Sequence, residues 1–306
     1  MTIALSGASG ILGSAIGKRL KEQGSDPIQL VRRPAKGPGE LEWNPAFGPS
    51  QGPNLHACGR IEGITAAIHL SGANISSQRW TAEFKAVVTE SRVRSTQVLS
   101  EMLGRLKNPP HSLLVGSAVG FYGDRGNELL DEHSAVGKGF LPELCAAWEA
   151  ATRPAEEAGI RVVHLRFGVV LGPNGGALAR VIPLFRLGLG GKLGSGRQWM
   201  SWISKSDAVS AVLFTLENPG ISGPVNIVAP EPVTNAIFTR ELGHALRRPA
   251  LLPAPAFALR LAFGEMADEI LLASERAIPG RLLGAGFTFA HSALSDALAA
   301  ALTGNV

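Results

Sequence analysis

IALSGASGILGSAIGKRLKEQ, residues 3–23, reads as a short apolar strand that runs without a break into a glycine turn and then an amphipathic helix. Gly7 permits the tight turn, Gly10 lets backbone approach a bound anion closely, and Gly13 lets the helix pack on the strand. Ser9, Ile11 and Leu12, with Ala8, fill the remaining positions, and the unpaired N–H groups at the helix start face the anion with the positive end of the helix dipole. A glycine pattern alone is weak, but one with a strand before it and a helix after it is the fingerprint of a dinucleotide site.

The following segments extend that reading. A second apolar run, PIQLV, ends at Arg32 and Arg33, where an acidic residue would bind the ribose hydroxyl of NAD and an arginine accommodates the 2′-phosphate of NADP. NADP is therefore the expected cofactor, the alternative being two solvated arginines. A third run ends in His69-Leu70-Ser71-Gly72, which places bare backbone beside the adenosine half of such a ligand.

These runs, with SLLVGS and RVVHLRFG, alternate with segments of helical period at 11–23, 81–107, 142–158 and 177–187. That alternation implies an α/β fold, a Rossmann-like doubly wound parallel sheet with helices on both faces. The Pro/Gly-rich stretch 34–63 reads as loop with a brief strand at Glu40–Trp43. Past Gly172 the rhythm changes, to a helix beginning near Lys205, a strand at GPVNIVA and then helices punctuated by prolines. The expected division is a nucleotide domain over 1–218, with 173–203 contributing to the substrate pocket, and a smaller, mostly helical lobe over 219–306 on the substrate side. Within 173–203, Trp199 and Trp202 read either as pocket wall or as interface core.

Composition removes several classes. Two cysteines without Cys-x-x-Cys spacing and seven scattered histidines give neither a disulfide framework nor a metal-ligand pattern. The net charge of +4 is dispersed rather than gathered into a basic stripe with aromatics, which argues against nucleic acid. Apolar runs break well short of the roughly 20 residues a membrane helix needs. The opening MTIALSGASG has no basic segment and reads as a mature strand, so a cytoplasmic protein with a small-molecule partner is expected.

The ordered motifs Gly7-x-x-Gly10-x-x-Gly13, His69-Leu-Ser-Gly72, Ser117-Ala-Val-Gly-Phe-Tyr122-Gly123, Asp131-Glu132 and Arg166-Phe-Gly-Val-Val-Leu-Gly172 resemble those of the extended short-chain dehydrogenases/reductases. That superfamily includes the NAD-dependent epimerases and dehydratases. The segments GSGRQWMSWISKSDAV and GPVNIVAPEPVTNAIFTRELGHALRRPALLPAPAFALRLAFGEM are similar to an atypical branch, the "epimerase family" proteins, which has its own C-terminal domain. The resemblance spans nearly the whole chain. It implies cofactor contacts from the glycine turn, Arg32, Leu70, Ser71, Gly72, Arg92, Ser117 and the segment Phe167-Gly168-Val169. Arg92 equally reads as an exposed helical charge. Related folds also use helices like 81–107 and 142–158 as dimer bundles, which leaves a homodimer open.

Ordinary members use Tyr-x-x-x-Lys, in which the phenol exchanges a proton with the substrate oxygen as hydride moves. Here the aligned positions hold Cys145 and Glu149, and the single tyrosine is Tyr122. A carboxylate beside Cys145 opposes thiolate formation, so the cysteine reads as a donor or as a small buried hydrophobe. Glu149 reads as a pocket residue or a salt-bridged helix carboxylate. Ser117 and Tyr122 are the other candidate hydrogen-bond donors, and Asp207 reads as a charge at a helix start. Three functions follow as expectations: an NADP-dependent oxidoreductase on a small carbonyl or alcohol, a sugar-nucleotide epimerase or dehydratase, and a non-catalytic NADPH-binding regulator.

Overall fold

The computed structural model describes residues 1–173 and 175–303; residues 174 and 304–306, which the expected pocket segment and C-terminal lobe include, lie outside them. Along the chain come β1 (Ile3–Ser6), α1 (Ile11–Glu22), β2 (Ile28–Val31), β3 (Glu40–Glu42), α2 (Pro53–Arg60) and β4 (Ala66–His69). They are followed by α3 (Ala82–Gly104), β5 (Ser112–Ala118), a 3₁₀ turn over Val119–Tyr122, β6 (Leu129–Leu130), α4 (Phe140–Ala150) and α5 (Arg153–Glu157). Next are β7 (Arg161–Phe167), β8 (Val169–Leu171), α6 (Gly176–Arg186), β9 (Trp199–Met200), β10 (Trp202–Ser204) and α7 (Lys205–Glu217). The remainder comprises β11 (Gly223–Ile227), β12 (Val233–Thr234), α8 (Asn235–Leu246), α9 (Ala256–Phe263), β13 (Arg276–Ala277), α10 (Gly280–Gly284) and α11 (Leu294–Thr303).

Seven parallel strands form the main sheet in the order β11-β7-β5-β4-β1-β2-β3. The order reverses at β1, and a crevice opens past the carboxyl ends of strands at such a switch point. One sheet face packs Ile16, Leu20, Val209 and Val212 of α1 and α7 against Leu5, Ile68 and Leu165. The other packs Ala57, Val98, Leu99 and Met102 of α2 and α3 against Ala4, Leu113 and Val162. Covered on both faces, strands such as β4 are buried at every position, which is why they read as continuous apolar runs. A separate core of Leu178, Ile182, Phe185, Phe238, Leu242, Leu294 and Leu298 joins α6, α8 and α11.

Three elements differ from the sequence expectation. The stretch 34–63 contains a helix, α2, started by Pro53, whose missing N–H costs nothing in the first helical turn. The loop before it is gathered by the buried Asn54 side chain, which accepts from the Asn44 amide and donates to the Asn44, Phe47 and Gly48 carbonyls. The helix expected over 142–158 is two, because Pro154 cannot donate to the Ala150 carbonyl and its ring crowds that turn. Finally β11, beyond residue 218, is the edge strand of the main sheet beside β7.

The C-terminal half also sets α4. Gly139 precedes this helix and has no side chain to cap it. Glu269, 130 residues further along, supplies the cap: its carboxylate accepts from the Phe140 amide at 2.8 Å and the Leu141 amide at 2.7 Å. Gly139 has φ of +119°, and a Cβ there would stand 2.6 Å from Glu269 Oε1, so glycine is required. Glu269→Ala is expected to lose about 1–2 kcal/mol, the usual range for a lost helix cap. Urea denaturation checks this; an unchanged midpoint would show that α4 does not depend on Glu269. At α7 the arrangement is local: Ser204 caps the helix by accepting from the Asp207 amide, while the buried Asp207 carboxylate accepts from Ala290 and His291 and pins the chain before α11.

Candidate active site

The glycine turn has the form the sequence predicts. Gly7 lies at φ +73°, and a Cβ on it would come 2.6 Å from the Leu70 carbonyl carbon and oxygen. A Cβ on Gly13 would come 2.1 Å from the Gly7 carbonyl oxygen, an overlap no L-residue tolerates. Gly10 donates to that same oxygen at 2.9 Å and caps α1 without a side chain, so the first amides of α1 stay open to a ligand. Gly7, Ser9 and Gly10, Arg32 and Arg33 after β2, and Leu70, Ser71 and Gly72 after β4 line one crevice of about 440 Å³. Ile11 lines an adjoining cavity of about 680 Å³ on the far side of the turn, with Lys205 and Gly172. Leu12 does not line the crevice; its side chain packs into the core behind the turn.

The two arginines are not equivalent. The Arg33 guanidinium is bidentate to Glu40 at 2.6 and 2.7 Å, so its fork is already filled. Glu40 is held down to about 2 by that hydrogen bond and stays ionised. Through this pair Arg33 orders the loop between β2 and β3 while still lining the crevice. Arg32 has no ion-pair partner among the described residues and remains at the crevice wall. Arg92, on α3, lies under Gly72: a Cβ on that glycine would sit 3.1 Å from the Arg92 Cζ. Its only protein hydrogen bond among the described residues is to the Val88 carbonyl of its own helix, and its guanidinium sits 5.2 Å from the Trp148 ring centre. It is thus a half-buried cation against the crevice floor, not an exposed helical charge. Behind the wall, buried His69 contacts Ser6 and Ser95, and burial lowers its imidazole pKa to about 3, so it is neutral.

Phe167, Gly168 and Val169 are each partly exposed where the chain leaves β7. Gly168 has no room for a Cβ, which would come 2.6 Å from the Ser201 carbonyl, and Val169 pairs with Trp202 of β10. The segment joins β7 to β8 and does not line the glycine-turn crevice. Trp202 is fully buried in the C-terminal core and donates to the Glu231 carbonyl, so it is core and not pocket wall. Trp199 is half-buried, stacks on Arg276 at 4.2 Å and donates to Asn127.

Where the family keeps Tyr-x-x-x-Lys, the structure has an ion-pair network. Glu149, on α4, accepts from Arg166 Nε and Nη2, both at 2.8 Å, and from Ser117 Oγ at 2.7 Å. Its carboxylate can only accept, so the Ser117 hydroxyl proton is directed at it. Arg166 Nη1 donates to the Tyr122 hydroxyl at 3.0 Å, and the phenol donates onward to Asn226 Oδ1 at 2.7 Å. Asn226 is fixed in turn by its Nδ2 donating to the Ile278 carbonyl and its backbone amide donating to Glu132. Arg166 also lies 3.5 Å from the Phe121 ring centre.

Tyr122 is fully buried, its proton is committed to Asn226, and burial raises its pKa. The reading of Tyr122 as a catalytic acid is corrected accordingly: the phenol points into the protein. Cys145 is also buried, and its thiol is pushed up to about 12 by burial and then by the charges of Glu149 and Glu275. It is packing, without access to thiolate chemistry near neutral pH. Ser117 and Glu149, both candidate site residues, are hydrogen-bonded to each other.

Arg166, Asn226 and Glu132 carry no role in the sequence reading. One signal was present: Arg166 and His164 interrupt an apolar strand of a parallel sheet, where a polar side chain is buried and needs a partner. Among the described residues no three His, Cys, Asp or Glu side chains group as a metal site would need, and no helix is long and apolar enough to cross a membrane.

Residues 3–228 match the model of the NAD dependent epimerase/dehydratase family, and residues 254–301 match a domain of unknown function, DUF1731. Epimerase family protein MT2273 of Mycobacterium tuberculosis (strain CDC 1551 / Oshkosh) is 45% identical over 301 residues, covering 98% of this chain and 97% of the relative. The crystal structure of human epimerase family protein SDR39U1 (isoform2) with NADPH superposes with a TM-score of 0.89 at 32% identity, covering 99% of each chain. The nucleoside-diphosphate sugar epimerase from Corynebacterium glutamicum superposes at 0.81 with 35% identity, covering all of this chain and 58% of that one. With the parallel sheet, the glycine turn at its switch point and these matches over nearly its whole length, the chain belongs to the NAD-dependent epimerase/dehydratase family.

Proposed function

We propose that this chain binds NADP(H) and is a cytoplasmic oxidoreductase acting on a small carbonyl or alcohol. The observation that supports the cofactor is Arg32, a cation without an ion-pair partner among the described residues, on the wall of a crevice whose other side is the open start of α1. An arginine fork matches a 2′-phosphate, and helix amides match a pyrophosphate. The human relative crystallised with NADPH supports the same ligand. When bound, the dinucleotide supplies the hydride that reduces a carbonyl carbon and is itself oxidised.

The residues that fit this group are the glycine turn for the pyrophosphate, Arg32 for the 2′-phosphate, and Leu70, Ser71 and Gly72 with Arg92 beneath them for the adenosine side. Ser117 and Glu149 lie at the carboxyl end of β5 and on α4, with the Glu149 charge balanced by Arg166. A sugar-nucleotide epimerase needs a positioned strong base, and the committed protons of Ser117 and Tyr122 disfavour it. The same commitment supports a second reading, an NADPH-binding regulator without turnover. A homodimer through α3 and α4 is proposed as the assembly.

Arg32→Asp is expected to weaken NADPH binding at least tenfold, about 1.4 kcal/mol, and to leave NADH binding within about twofold. Isothermal titration with both cofactors decides it. Equal affinity of the wild-type protein for the two would remove the 2′-phosphate assignment. NADPH oxidation over a panel of carbonyls then separates the enzyme from the regulator.

A further inference from the structure

If the site reduces a carbonyl, something must give its oxygen a proton, and the usual candidates are spent. Ser117 directs its proton to Glu149, Tyr122 directs its proton to Asn226, and Cys145 is a buried thiol. Among the described residues, one protic group near these is uncommitted. Glu275 comes from the C-terminal half, brought there by β13, which pairs with β6 in register Arg276 to Leu129 and Ala277 to Leu130. Its backbone is clamped on both sides: the amide donates to the Trp199 carbonyl, and the carbonyl accepts from Ser201 Oγ. The side chain is half-buried, and its carboxyl has no hydrogen-bond or ion-pair partner among the described residues.

Its location is the informative part. Glu275 Oε1 lies 3.9 Å from the point where a Cβ on Gly120 would project, just past the end of β5, and that same point meets Leu141 of α4 at 3.4 Å. The carboxyl is also close enough to Cys145 for its charge to raise the thiol pKa. It therefore stands over the end of β5 and the first turns of α4, beside the position from which a family tyrosine would act. We propose that Glu275 is the group that donates a proton to the substrate oxygen in this protein, taking the place of the tyrosine that Cys145 replaces. The inference rests on the oxidoreductase reading above.

As the carbonyl π bond opens, its oxygen forms a bond to the Glu275 proton; the acid O–H breaks, its electron pair stays on Glu275, and the carboxylate regains a proton from solvent. The two reducing electrons are those of the hydride named above. Such a donor must be protonated near neutral pH, and the surroundings arrange this. Burial, followed by the charges of Asp124 from the loop after β5 and Glu269 from the C-terminal half, raises the Glu275 carboxyl to about 8. Cys145 faces it from α4 as a neutral thiol, and the nearby bases do not offset this: Lys138 and Arg260 line the neighbouring cavity with Asp124 and Glu269, and Arg260 is paired with Asp268. Reduction should therefore hold below about pH 8 and fall as pH rises through that value, where the acid becomes a carboxylate.

The test uses the full-length protein and three readouts. Infrared titration of the protein alone should show a carboxylic-acid carbonyl band at pH 7 that is absent in Glu275→Gln; its absence from the wild type would overturn the proposal. In NADPH oxidation across a carbonyl panel, Glu275→Gln should lower kcat at least 100-fold with the NADPH Kd within twofold. Undiminished turnover in that variant would overturn the Glu275 assignment and leave the reductase reading standing. A wild type that binds NADPH and turns over no carbonyl would end the reductase reading, and the proton-donor role with it. Asp124→Asn, which removes a neighbouring charge and leaves Glu275 in place, should move the alkaline limb of the pH profile to lower pH; a stationary limb would count against Glu275 even if Glu275→Gln failed to fold.

Discussion

Glu149→Ala is expected to destabilise the protein by about 3–5 kcal/mol, the cost of leaving one member of a buried ion pair without its partner. Arg166 is 4% exposed and Glu149 11%, so the guanidinium left behind has little water to turn to. The loss reaches further than one pair, because Arg166 also orients the Tyr122 hydroxyl and Glu149 receives the Ser117 hydroxyl. At a few degrees per kcal/mol for a chain of this size, the Tm should fall by roughly 10 °C. Replacing the pair together, Glu149→Gln with Arg166→Met, should recover part of that, since no uncompensated charge remains. Thermal and urea denaturation of the single and double variants measure both. A single-variant loss below about 1 kcal/mol would show that the network does not hold α4 against β7.

The second large effect is expected at the turn. Gly13→Ala should abolish NADPH binding at any practical concentration, a loss of at least 100-fold, and cost about 1–3 kcal/mol of stability through overpacking. The reason is geometric: the new methyl would lie 2.1 Å from the Gly7 carbonyl oxygen and 2.8 Å from its carbon, and backbone cannot yield as a flexible side chain can. Gly10→Ala meets the same oxygen at 3.3 Å and should be milder. Gly17→Ala touches only Leu5 Cδ2 at 3.4 Å and gains helix propensity, so it should bind NADPH normally and be no less stable. Calorimetric titration of the three variants reads the gradient. A Gly13→Ala protein that binds NADPH like Gly17→Ala would mean the anion does not sit at this turn.

Much of the nucleotide half was legible because its signals are local. The Ile3–Ser6 strand, the turn and α1 are decided within twenty residues, and β4 and β7 announce themselves as apolar runs of buried parallel strands. What escaped the sequence depends on distant partners. Proline and glycine between 34 and 63 suggested loop, whereas the buried Asn54 side chain, from within α2, ties the preceding loop to that helix. Arg33 looked equivalent to Arg32 until Glu40, seven residues on and across a loop, was found to occupy its fork. Tyr122 and Cys145 stand at family positions, yet their chemistry is set by Asn226, Arg166 and burial, none of which spacing can reveal. Glu275 lies outside every motif, and the pairing of β13 with β6, with the backbone contacts to Trp199 and Ser201, brings it to the end of β5.

Glu269 at the start of α4 has a consequence for how the molecule comes into being. A ribosome delivers Phe140 and Leu141 long before Glu269, so the helix bearing Cys145 and Glu149 must wait, uncapped, through most of the remaining synthesis. A chain interrupted before residue 269 lacks that carboxylate, so the start of the helix that carries Cys145 and Glu149 is completed only by the C-terminal half.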